Sequence, residues 1–319
     1  MYNNLQYADS GVILVAPHHF PDLNREKALA EEFGMVLVAA ADVDQFRASL
    51  PSAEIVMITP YATLTADDFP RMAACRAVIR YGIGYDNIDV TAARAAGIPV
   101  AIVPGTASEE VASHAFAMGL ALARWLPAGD AAIRAGGWAG TIGYETPALS
   151  RLEVGVVGMG RIGARVAAMY AAVGAHVRAF DPMIEVAPEL ATSLDDVLFD
   201  VDVVSLHVPL TDATRNLVSR ECLARMRQGA VVVNVSRGGL IDEDALADAL
   251  ASGHIAGAGL DTFSIEPVPA DHPLRQAPNA ILTPHIAWRS NTSIGALQDG
   301  AVHRVRQALT GQPLSDVVN

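Results

Sequence analysis

Cys75 and Cys222 are the only cysteines in 319 residues, so neither a disulfide framework nor a cysteine-based metal site is available. Long hydrophobic runs are missing too. His, Arg, Asp or Gly interrupts every apolar stretch well short of a membrane span, and the opening MYNNLQYADS has no basic start followed by an apolar core. Positive charge is scarce: 22 Lys and Arg stand against 35 Asp and Glu, a net charge of −13. Such a field repels phosphate backbones and anionic lipid surfaces, which argues against nucleic-acid and membrane partners. The expectation is a soluble protein of a reducing, cytoplasmic setting. Small anionic substrates stay open, because a few local arginines overrule a distant field.

What the chain does have is apolar residues, 51% of the total, enough for two cores. They fall in short continuous runs, at 12–16, 35–39, 55–58, 77–80 and 99–103, and again at 154–158, 176–180, 202–206, 230–235, 255–260 and 280–283. Continuous rather than alternating strands are what a parallel sheet covered on both faces requires. Two successive α/β units follow from this. Between them GTASEEVASHAFAMGLALARW, residues 105–125, reads as a long connecting helix, with Thr106 and Glu109 at capping-box spacing. Residues 127–150 have weak periodicity and suit either an arm on a second subunit or a surface excursion. Residues 291–309 read as a helix that returns to the first unit.

The second series opens with VGVVGMGRIG, a strand running into Gly158, Gly160 and Gly163 and on into a helix. That context turns a common glycine pattern into a dinucleotide-binding fingerprint. Gly158 permits the tight turn, Gly160 lets backbone approach a pyrophosphate, and Gly163 lets helix and strand pack closely. Arg161 and Ile162 complete the loop, and the helix N-terminus offers N–H groups to phosphate. Asp181 follows the next strand, 18 residues after Gly163, where a carboxylate can accept from an adenosine ribose hydroxyl and repel a 2′-phosphate. NAD is therefore expected over NADP.

Hydride chemistry on a hydroxy or oxo acid needs a cation for the carboxylate, a proton donor and acceptor, and a group that tunes that proton. Three strand ends supply such residues: Arg237 in SRGGLID, Glu266 in TFSIEP and His285 in TPHIAW. A guanidinium fork grips carboxylate oxygens, and imidazole exchanges a proton near neutrality. Loops at the carboxyl ends of parallel strands are where such sheets bind ligands.

The segments GIGYDNID, VGVVGMGRIG, HVPLTDATRNLV, NVSRGGLIDEDAL, GLDTFSIEP and TPHIAW together resemble the D-isomer-specific 2-hydroxyacid dehydrogenase family, over about residues 77–290. Within it the chain is most similar to the branch of phosphoglycerate-dehydrogenase-like and C-terminal-binding-protein-like members. The resemblance implies a flavodoxin-like substrate domain (1–103 and 288–319), a Rossmann NAD-binding domain (104–287) and an active site in a cleft between them, closing about crossings near 103 and 287. It explains why the glycine loop lies mid-chain. It also implies Arg237 as ligand of the substrate carboxylate, Glu266 as partner of the acid/base, and His285 as that acid/base. Ile83 and Gly84 are implied as backbone donors to the carboxylate and Asp261 as holder of the nicotinamide amide. His207, Pro209 and Thr211 are implied to border the cofactor, with Val111 against the nicotinamide ring. A homodimer in contact through 105–150 is implied as well.

Departures from the family pattern qualify the substrate. Phosphoglycerate-specific relatives carry a basic residue in the loop corresponding to TPYATLT, where this chain has Tyr61 and Ala62. The chain length leaves no room for the regulatory C-terminal domain of many phosphoglycerate dehydrogenases. Glu266 favours a hydroxy acid over formate, since related formate dehydrogenases carry glutamine there. Trp288 either shapes the pocket or packs a domain interface. The function expected is an NAD-dependent oxidoreductase acting on a small D-2-hydroxy acid or its 2-oxo acid. The competing reading is an NAD(H)-sensing, corepressor-like scaffold, against which the absence of long flanking tails weighs. No metal site is expected: the neighbours His18 and His19 point to opposite sides of an extended chain. His114 reads as a packed or interface group.

Overall fold

The computed structural model describes residues 10–139 and 147–319 and divides them into two compact units, one of residues up to 107 together with 290–319 and one of residues 108–289. The first begins with β1 (Val12–Val15), α1 (Asn24–Glu32), β2 (Val36–Ala39), α2 (Val43–Ser49), β3 (Ala53–Ile58), β4 (Ala77–Arg80), α3 (Val90–Ala95) and β5 (Val100–Ile102). Its five strands are parallel in the order β2-β1-β3-β4-β5, the flavodoxin-like order. Ile55, Val56, Met57 and Ile58 of β3 are wholly buried, as a strand covered on both faces must be. The loops after β1 and β3 flank the point where strand order reverses, and there the His19 and Tyr61 rings meet edge to face, 4.6 Å apart.

The second unit opens with α4 (Ser108–Ala123) and α5 (Leu126–Arg134). It continues through β6 (Glu153–Val157), α6 (Gly163–Ala172), β7 (His176–Phe180), α7 (Leu194–Phe199), β8 (Val203–Leu206) and α8 (Arg220–Arg225). It closes with β9 (Ala230–Asn234), α9 (Glu243–Ala251), β10 (Ile255–Leu260) and β11 (Ala280–Leu282). Its six parallel strands run β7-β6-β8-β9-β10-β11, and two isolated parallel bridges join it, Ala179 of β7 to Ala191 and Val218 to Ile241. Successive side chains feed opposite faces: Val203, Val231 and Val233 join α4 and α6 in one core, while Val204, Leu206 and Val232 join α7, α8 and α9 in the other. The chain then returns to the first unit as α10 (Ser293–Thr310), which packs on α1 and β4.

α5 occupies the start of the weakly periodic stretch that reads in sequence as either an arm on a second subunit or a surface excursion. It is nine residues long, starts with Pro127 in its first turn, and buries none of its side chains. It is short and carries Pro127 and Gly129, residues that as often mark a turn, so its helical period is hard to read in sequence. The rest of the weakly periodic stretch includes 140–146, outside the described residues. Among the described residues, no helix is long and apolar enough to cross a membrane, and no cluster of His, Cys, Asp or Glu is placed to hold a metal ion.

Candidate active site

The glycine loop joins β6 to α6 beside β8, at the reversal of strand order in the second unit. Gly163 is the tightest position: a β-carbon there would stand 1.8 Å from the Gly158 carbonyl oxygen. Around Gly160 the same construction meets nothing within 4 Å. Backbone is thus exposed to an open cradle at the one glycine expected to face pyrophosphate, and no side chain caps the first turn of α6. Arg161 is exposed and Ile162 half-buried.

Asp181 stands at the end of β7 and reaches back to this loop. One carboxylate oxygen accepts from Met159 N at 2.7 Å, the other from Met183 N and Ile184 N at 2.8 and 2.9 Å. Burial raises its proton affinity, but these three N–H groups outweigh it and hold the carboxyl below the ordinary 3.8. Asp181 therefore shapes the loop, which its position in the sequence does not reveal. Across the loop, His207 follows β8 and shares a hydrogen bond between Nε2 and Ser205 Oγ, 2.8 Å. Its Nδ1 is buried without a partner, and desolvation lowers the imidazole to about 3. A neutral ring with an unsatisfied nitrogen, an open glycine cradle and an uncapped helix end together suit a dinucleotide. Pro209 and Thr211 follow on the same loop, tied by Thr214, whose hydroxyl donates to Pro209 O and accepts from Thr211 N. Val111 lies on α4, half-buried against the core.

Arg237 follows β9 on a turn that Asn234 braces by donating from Nδ2 to Arg237 O at 2.8 Å. The next residue explains the turn's position. A β-carbon on Gly238 would lie 2.0 Å from the Phe263 carbonyl carbon and 2.1 Å from Ser264 N, so the loops after β9 and β10 touch backbone to backbone. That contact brings the Arg237 and Glu266 loops together. Glu266 Oε1 accepts from Phe263 N at 3.0 Å, and Oε2 pairs with His285 Nδ1 at 2.8 Å. Burial is the largest influence on Glu266 and raises its proton affinity. The hydrogen bond and charge of His285, the Phe263 N–H and the Arg237 charge overcome it, and the carboxyl sits below its ordinary 4.5.

His285 has φ 52°, a left-handed backbone uncommon for a residue with a β-carbon. Its N–H reaches the carbonyls of Asp261 (2.9 Å) and Thr283 (3.0 Å), and its own carbonyl accepts from Trp288 Nε1 at 3.0 Å. The Asp261 carboxylate, 1% exposed, accepts from Thr283 Oγ1, Ile286 N and Ala287 N. Only one of its four acceptor positions is left for a further donor. Thr283 and this clamp lie beyond reading from the sequence; the one available signal is a hydroxyl two residues before the histidine in TPH.

In the first unit, Ile83 and Gly84 lie on the loop after β4, with Ile83 52% exposed. Tyr61 is exposed against His19, whereas Ala62 is buried. No lysine or arginine occurs in residues 59–66.

Known proteins resemble this chain in sequence and fold. The family model for the D-isomer specific 2-hydroxyacid dehydrogenase NAD binding domain matches residues 116–287. The chain is 36% identical over 313 residues to D-3-phosphoglycerate dehydrogenase of Mycobacterium bovis, covering 97% of this chain and 58% of that protein. It thus spans little more than half the length of that relative. It is 37% identical over 267 residues to glyoxylate reductase of Korarchaeum cryptofilum, 80% of each chain. Among solved structures, D-lactate dehydrogenase from Aquifex aeolicus, complexed with NAD and lactic acid, superposes with a TM-score of 0.87 at 28% identity, over 96% of this chain and 98% of that one. With two parallel α/β units, a glycine loop built for a dinucleotide and a matching NAD-binding segment, this chain belongs to the D-isomer specific 2-hydroxyacid dehydrogenase family.

Proposed function

We propose that the chain interconverts a small D-2-hydroxy acid and its 2-oxo acid with NAD. The observation that carries this reading is the 2.8 Å contact between His285 Nδ1 and Glu266 Oε2, with the Arg237 charge felt by the same carboxylate. NAD, when bound, supplies a hydride acceptor in oxidation and a donor in reduction. Glu266 engages Nδ1 and so leaves Nε2 of His285 to face the substrate oxygen. In oxidation neutral Nε2 accepts the hydroxyl proton; in reduction the imidazolium returns it to the carbonyl oxygen. Arg237 binds the substrate carboxylate, and the backbone N–H groups of Ile83 and Gly84 serve the same group. Gly158, Gly160, Arg161, Ile162, Gly163 and Asp181 hold the adenosine and pyrophosphate portion. His207, Pro209 and Thr211 border the cofactor, with Asp261 at the nicotinamide amide and Val111 against the nicotinamide ring.

Relatives named as dehydrogenases and reductases favour turnover over a nucleotide-sensing scaffold. The cation-free stretch 59–66 favours an unphosphorylated substrate. The cytoplasm is the proposed compartment: both cysteines are free thiols, and burial makes them poorly reactive by raising Cys75 to about 12 and Cys222 to about 11.

The test follows NADH loss across a panel of 2-oxo acids, phosphorylated and not. Wild type turns over at least one unphosphorylated member. His285→Ala lowers kcat about 10²- to 10⁴-fold while NADH still binds by fluorescence titration. No turnover on any member, or near-wild-type turnover by the variant, overturns the reading.

A further inference from the structure

We propose that Thr283 and His114 are positioning residues for His285, acting through Asp261. The inference rests on the proposed dehydrogenase reading for its kinetic consequence, but its structural part stands by itself. Residues 283–287 form an arc wrapped around Asp261. Its backbone carbonyl accepts from His285 N at 2.9 Å, and its carboxylate accepts from Thr283 Oγ1 at 2.5 Å and from Ile286 N and Ala287 N at 2.9 Å each. One residue thus grips the arc before, at and after the histidine, and the histidine at its centre keeps the left-handed backbone. Such a conformation persists where its surroundings over-determine it.

The proton inventory of Thr283 extends this grip to α4. A hydroxyl has one proton, and Thr283 gives it to Asp261. The contact between Thr283 Oγ1 and His114 Nε2, 3.1 Å, must therefore have the imidazole as donor, which fixes a proton on His114 Nε2. His114 Nε2 itself lies 3.9 Å from Asp261 Oδ1, too far for a direct hydrogen bond. The threonine is the necessary link. His114 is carried by a helix of sixteen residues packed on α6, β9 and β10, so the chain His114–Thr283–Asp261 ties the arc to the core of the second unit. Its effect is on aim: the His285 ring meets Glu266 at 2.8 Å only while the arc holds its shape.

Thr283→Val removes the hydroxyl at nearly constant volume, and Thr283→Ser keeps it. His114→Phe removes the donor, and His114→Gln keeps one. For the 2-oxo acid that wild type reduces, Thr283→Val and His114→Phe should lose about tenfold or more in kcat, the scale of a small misplacement of a reacting group. NADH affinity should stay within about twofold of wild type, and Ser and Gln should restore most of the rate. In parallel, NMR of ¹⁵N-histidine-labelled protein should show a protonated Nε2 on His114, and a displaced ring signal of His285 in Thr283→Val. Wild-type kcat in both truncating variants overturns the inference, as does serine no better than valine, or an unshifted His285 signal. If Thr283→Val does not fold, His114→Phe decides. A wild type inactive on every oxo acid defeats the dehydrogenase reading instead, and the NMR arm still judges the positioning.

Discussion

Asp181 and His207, both proposed to face the cofactor, are structural residues as well. The Asp181 carboxylate already organises the glycine loop through Met159 N, so its loss removes both a charge and a brace. Asp181→Ala is expected to weaken NADH binding by about tenfold, the value of a hydrogen bond to a charged group, and to narrow the preference over NADPH. Fluorescence titration with both nucleotides measures this, and an unchanged ratio removes Asp181 from ribose recognition. His207 makes a prediction about pH. Its imidazole is lowered from 6.5 to about 3, so between those values the unfolded chain holds a proton that the folded one does not. The contribution of the neutral ring to stability is complete above 6.5 and is lost as pH falls toward 3, with a slope of at most about 1.4 kcal/mol per pH unit. His207→Gln should flatten that part of the stability profile in urea titrations run across this range. A profile parallel to wild type would mean the ring is not desolvated.

Loops between elements are built by close approach. The turn after β9 and the loop after β10 meet at Gly238, where a methyl group would need the space held by the Phe263 and Ser264 backbone. Gly238→Ala therefore pushes apart the two loops that carry Arg237 and Glu266. Since neither the glycine loop nor Asp181 is touched, the expected phenotype is kcat/KM for the oxo acid down at least about tenfold with NADH affinity retained. Equal loss of NADH binding would place the damage in the whole unit rather than at this junction. Gly163 carries the complementary case, because a methyl there strikes the Gly158 carbonyl and the expected loss is of nucleotide binding first.

At the scale of the molecule, α5 is the element whose burial the chain leaves unfinished. Leu126 is 62% exposed and Ile133 55%, the two lie two turns apart on one side of the helix, and Trp138, four residues beyond its end, is 75% exposed. Apolar exposure of this kind on a stable helix is a mark of an interaction surface, and a second copy of the chain is the proposed partner. Light scattering should report a dimer for wild type and a monomer for the double variant Leu126→Glu, Ile133→Glu. Wild type running as a monomer at assay concentration would end that proposal. The net charge of −13 acts at this scale too, and it makes a local cation at Arg237 the more necessary for the proposed anionic substrate.

Much of the architecture was legible because it is local in origin. Continuous apolar runs of Val, Ile and Leu predict parallel strands wherever helices cover both faces, and every such run became a strand within two residues of its expected ends. The glycine spacing predicts its loop because each glycine answers a steric demand within a few residues. Arg237, Glu266 and His285 could be named from chemistry and from their places after strands. Their meeting was implied only by the family resemblance, since it depends on a Gly238 contact across 25 residues and on donors to Asp261 from 22 to 26 residues away. α5 was hard to read for a local reason, being nine residues long with Pro127 and Gly129 in its first half. Sequence alone determined which elements form and which groups could do chemistry, through short-range sterics and the hydrophobic period. Tertiary structure decided which groups touch and which backbone each one keeps, because hydrogen bonds between distant segments exist only once the sheet has set their loops side by side.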